Sequence, residues 1–148
     1  MVGRIIAGWI LVFLVYVVTL FVACQSYMAL YHLPIDHKWD QSGLYIGSWL
    51  VIVPYVVAGF YARASLVKPL TGAFWVSLVP IVMEKLLIFG IGYLFVVGEP
   101  LYEMRDVMGF IRGEAAPYYT PLYIGIGGAV SLVLALAISR VPRINFQK

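Results

Sequence analysis

Glu84 and Lys85 are adjacent ionisable residues near the middle of an apolar run, Leu70 to Val97. A run of that length suits a helix that crosses a bilayer, for which about 20 residues suffice. Charges at bilayer depth cost roughly 2.5–3.5 kcal/mol each on insertion scales, so an acid and a base there mark an interaction or proton site. Neighbours on a helix point about 100° apart, so a direct bond between the two is expected to be strained. Partners at matching depth on other segments are Tyr16, Thr19, Tyr55 and Ser131, none of them charged.

Three chemistries follow. In the first, both groups are neutral and are satisfied by hydroxyls and by carbonyls that Pro54 and Pro80 release. Each proline removes one backbone donor, which frees the carbonyls of Leu50 and Val76 and predicts a helix kink. In the second, the pair binds a second copy of the chain or another membrane protein. In the third, the two line a wet cavity and move a proton or bind a charged solute; desolvation favours the neutral form of both groups, which suits a proton relay. If the third segment slid along the membrane normal, the pair would instead be an ordinary snorkelling pair near an interface.

Other chemistry has little support. His32, Asp36, His37 and Asp40 share one loop, but Pro34 breaks any helical spacing between His32 and Asp36, and no metal site is assigned. The single cysteine, Cys24, excludes a disulfide within the chain and any zinc spacing. Leu20 to Cys24 loosely resembles a lipoprotein cleavage box, with Phe21 where leucine is preferred; a buried apolar thiol is the expected role. No serine, cysteine or threonine has a histidine and a carboxylate at a familiar spacing, so no enzyme is expected. No glycine-rich phosphate loop implies a cofactor, and no basic cluster implies nucleic acid.

The elements that must position the pair are four spans. The chain is 63% hydrophobic and 11% charged, against about 25% charged in soluble domains. The expected fold is all-α: one domain over residues 1–148, a four-helix transmembrane bundle with spans at about 5–31, 44–62, 70–97 and 119–139. The first is read as a retained signal anchor, because its apolar stretch exceeds that of a cleaved signal. Gly43-x-x-x-Gly47 and the glycines Gly125 and Gly128 are small-residue positions where helices can approach closely. Leu101, Met104, Met108 and Ile111 recur at helical spacing, which predicts an amphipathic surface helix over about 101–112 in the second outer loop.

Charge sets the expected topology. Arg4, Arg63, Lys68, Arg140, Arg143 and Lys148 fall at the two termini and the middle connection, whereas every acid except Glu84 falls in the other two loops. The basic excess faces the cytoplasm, so both termini are expected there, and tyrosines and tryptophans gather at the outer ends. Compact loops and the lack of an Asn-x-Ser/Thr site fit a bacterial inner membrane. The functional expectation is a subunit or accessory factor of a membrane assembly. The alternative is a small dimeric transporter of a proton or small solute with Glu84 as the titrating group. The expected partners are the lipid bilayer and a second copy or another membrane protein.

Overall fold

The computed structural model describes residues 2–31, 41–97 and 123–141. These form four helices and, among the described residues, no strand: α1 (Val2–Tyr31), α2 (Gln41–Ser65), α3 (Pro69–Val97) and α4 (Gly128–Arg140). A π-helical turn, Tyr123–Gly127, leads into α4. The loops that carry His32 to Asp40 and the predicted surface helix at 101–112 lie outside the described residues. The three long helices coincide with the first three predicted spans, and each is long and apolar enough to cross a membrane. At about 1.5 Å per residue α1 alone extends roughly 45 Å.

Each helix starts and stops for a local reason. α3 opens on Pro69, whose fixed φ and missing N–H suit the first helical position. Only Leu66, Val67 and Lys68 separate α2 from α3, which makes the two helices antiparallel neighbours. The Leu66 N–H still donates to the Ala62 carbonyl at 3.0 Å, and the Gly72 N–H donates to the Lys68 carbonyl at 2.8 Å. A Cβ on Gly72 would collide with the Leu66 side chain folded over it, which would have to move aside. Pro54 and Pro80 both sit inside helices that continue past them. α2 begins two residues before Gly43, so that glycine lies in the helix and does not end the loop.

α2 and α3 form the centre, and each packs against both α1 and α4. The larger core cluster joins Val12, Tyr55, Ala58, Ala62, Leu66, Ala73, Val76, Ile81 and Ala135. Its many alanines bring backbones close, as expected where small residues line helix interfaces. A Cβ on Gly59 would lie 2.7 Å from the Ala135 carbonyl oxygen, and one on Gly8 would lie 2.8 Å from a Val76 methyl. A second cluster of Ala23, Cys24, Ile46 and Leu50 lies toward the other end; Cys24 is buried there as the sequence predicts.

The two ends are pinned differently. At one, Arg4 Nη1 donates to the Ser65 carbonyl at 2.8 Å, Tyr61 Oη to the Arg4 carbonyl at 2.6 Å, and Trp9 Nε1 to the Trp75 carbonyl at 2.9 Å. At the other, Tyr27, Tyr31, Tyr45 and Trp49 form a chain of ring contacts with centroids 4.8 to 6.3 Å apart. Ser26 and Tyr45 hydroxyls meet there at 3.1 Å.

Gly59→Ala is expected to destabilise the bundle by about 1–3 kcal/mol, since the methyl meets backbone that cannot rotate away. Gly128→Ala is expected to cost less, because its Cβ would find ordinary contacts of 3.4 Å to Ile81 and 3.9 Å to Lys85. Denaturant titration of both variants in one mild detergent checks the order.

Candidate functional site

The site lies where α2, α3 and α4 meet. Successive residues of α3 point to different neighbours, so Glu84 turns toward α2 while the Lys85 stem runs beside Gly128 of α4. Four methylenes let the ammonium curl back across that angle. Lys85 Nζ donates to Glu84 Oε1 at 2.9 Å. The strain expected between adjacent residues is thus avoided by the reach of the lysine side chain. Tyr55 Oη donates to the other carboxylate oxygen, Oε2, also at 2.9 Å. Both carboxylate oxygens therefore accept a strong donor, one of them cationic, which is the condition for a carboxylate to persist away from water.

Burial is deep. The Glu84 and Lys85 side chains are 10% and 9% exposed, and Tyr55 is 1% exposed. Tyr55 follows Pro54 directly, and Pro80 lies one turn before Glu84, so each side of the site adjoins a proline. One turn from Tyr55, Ser131 Oγ of α4 donates to the Val51 carbonyl at 3.0 Å. That carbonyl adjoins Leu50, the residue whose helical donor Pro54 removes. The serine thereby ties α4 to the proline turn of α2. Tyr16 and Thr19 of α1 approach the same level, with Thr19 buried.

Of the four partners matched by depth, Tyr55 is brought directly onto the carboxylate. Ser131 instead reaches backbone, and Gly128 flanks the lysine stem. Gly47 is buried. Gly125 departs from its expected packing role: a Cβ there would meet nothing within 4 Å among the described residues. Its place in the π-helical turn carries it to the surface, and the buried small residues are Gly127, Gly128, Ser131, Ala135 and Ser139. Their last three members recur every fourth residue, a spacing that could have identified this face. The close contacts at Gly8 and Gly59 had no comparable signal, since a lone glycine in an apolar helix does not show which neighbour approaches it. Among the described residues no three of His, Cys, Asp and Glu converge to hold a metal.

The chain matches no family model, no curated protein and no solved structure.

Removing one charge should cost more than removing both. Lys85→Met strands a buried carboxylate and is expected to destabilise by about 3–5 kcal/mol, whereas Glu84→Leu with Lys85→Met should recover most of that loss. Tyr55→Phe should cost about 1–3 kcal/mol, as for a donor removed from a charged acceptor. Equilibrium unfolding of the single and double variants in detergent measures the coupling.

Proposed function

We propose that this chain is a small multi-span membrane protein that moves a proton or a small solute, with Glu84 as the group that takes up and releases the proton. The observation that carries the reading is the inward-facing Tyr55–Glu84–Lys85 cluster. A structural core would be served as well by apolar residues of similar volume, because a buried ion pair repays little of its desolvation cost. Ionisable groups kept inside a membrane helix point by default to an ion or proton pathway.

The geometry supports a coupling as well as a binding site. Protonation of Glu84 cancels the charge that answers Lys85. An ammonium in an apolar core is costlier without that charge beside it, so the protonated state favours an arrangement in which Lys85 meets water or loses its own proton. Pro54 and Pro80 are places where α2 and α3 can change direction without breaking a complete hydrogen-bond ladder. A proton on one carboxylate would thus shift the helices on both sides of it.

For the membrane setting, Arg4, Arg63, Lys68 and Arg140 occupy one end of the described helices and the tyrosine chain the other. By the positive-inside rule the basic end is cytoplasmic. In this reading the protein belongs to a bacterial inner membrane, with a dimer as the working form.

One observation favours a second reading, in which the chain is a subunit or accessory factor of a membrane assembly. α1 exposes Phe13, Leu14, Val17, Val18, Phe21 and Val22. A broad aliphatic face of this kind suits a partner helix as well as lipid.

Reconstituted in proteoliposomes, the protein is expected to carry a pH-dependent flux that Glu84→Gln abolishes. Wild-type flux in that variant would reject the proton role. The assembly reading predicts a larger complex in mild detergent, which Glu84→Gln or Lys85→Met weakens. Unchanged co-purification in both variants would count against it.

A further inference from the structure

A crevice of about 300 Å³ opens between the first turns of α3 and the last turns of α4. It is lined by Leu70, Thr71, Phe74, Leu136 and Arg140. These residues form two levels. Thr71 and Arg140 sit at the ends of their helices. Phe74 lies about one turn deeper in α3, and Leu136 one turn deeper in α4, roughly 5–6 Å toward the middle of the molecule. The outer level carries the polar and cationic groups beside Leu70, and the inner level is wholly apolar.

Among the described residues no acid answers the charge at the rim. Glu84 is the only acidic residue among the described residues, and it lies in the middle of the bundle beside Lys85. Arg140 is exposed, and so is Lys68, which precedes α3. A free phosphate would leave Phe74 and Leu136 uncovered, and a neutral apolar molecule would make no use of Arg140. A molecule with an anionic phosphodiester at one end and a hydrocarbon chain at the other satisfies both levels.

We propose that this crevice binds an anionic glycerophospholipid of the leaflet at the basic end of the molecule. The phosphodiester lies between Arg140 and the Thr71 hydroxyl, and the first part of an acyl chain lies along Leu70, Phe74 and Leu136. Arg140 supplies the planar donors that suit a phosphate. The inference rests on the membrane reading of the chain and is independent of proton transport.

The test uses the full chain in nanodiscs of equal phosphatidylcholine and phosphatidylglycerol, with native mass spectrometry of the lipids that stay bound. Phosphatidylglycerol is expected to be enriched among them, and Arg140→Gln should lower that enrichment about tenfold, the loss typical of one charge-assisted contact. Leu136→Trp, which fills the apolar level, should lower the retention of both lipids, while Arg140→Lys should keep part of the enrichment. Enrichment unchanged in both Arg140→Gln and Leu136→Trp would overturn the proposal. A chain ending at Val141 that retains severalfold more lipid than the full chain would also overturn it, because the crevice would then be covered by the protein's own last residues. Failure of the wild type to enter nanodiscs would overturn the membrane reading and this site with it, whereas loss of flux with intact lipid enrichment would leave the site standing.

Discussion

A carboxylate and an ammonium held among aliphatic side chains must each be answered by hydrogen bonds, and that constraint organises the centre of this protein. Glu84 has two oxygens; one takes the Lys85 ammonium and the other the Tyr55 hydroxyl. Meeting that demand requires α2 to stand within hydrogen-bond reach of α3 at the level of Tyr55. It also requires α4 to leave room for the lysine stem, which Gly128 does. A bulky residue at the Gly128 position would crowd the lysine stem and weaken the pair.

Close approach of the helices is the condition for everything else. Ala58 and Ala62 of α2, Ala73 of α3 and Ala135 of α4 are fully buried, so main chains meet almost directly. For helices that cross a membrane there is no hydrophobic drive between them, and packing with a few interhelical hydrogen bonds would have to suffice. Ser131 to Val51, Arg4 to Ser65, Tyr61 to Arg4 and Trp9 to Trp75 are such bonds, and all end on backbone carbonyls. They tie α1, α3 and α4 to their neighbours at the central and basic levels, while aromatic rings hold α1 to α2 at the opposite end.

This arrangement differs from a surface that waits for a charged partner. The two side chains bond to one another within the chain, so a partner would depend on them through the helix packing they hold. A proton, by contrast, would act directly on the buried pair. The prolines beside Tyr55 and before Glu84 put turns that lack a backbone donor next to it. In the proposed function, charge neutralisation and helix movement are therefore two aspects of one step.

Helix class, the extent of the first three apolar helices and the central acid and base were legible in the residues alone. Each follows from one-dimensional quantities: length of apolar run, placement of charge and position of proline. Tyr55 could be named as one of four uncharged partners at matching depth, because antiparallel helices joined by a short turn align by residue count. Which of the four would reach Glu84 was not legible, since depth carries no information about the rotation of one helix relative to another. Rotation is decided by which small residues let which backbones meet, and this is why Gly59 and Gly8 pack tightly while Gly125 faces outward. The sequence by itself determined that a costly acid and base lie inside an apolar helix. Only the tertiary structure decided that they pair with one another and with Tyr55, because a bond between adjacent helical residues depends on the space that α4 leaves for the lysine to turn back.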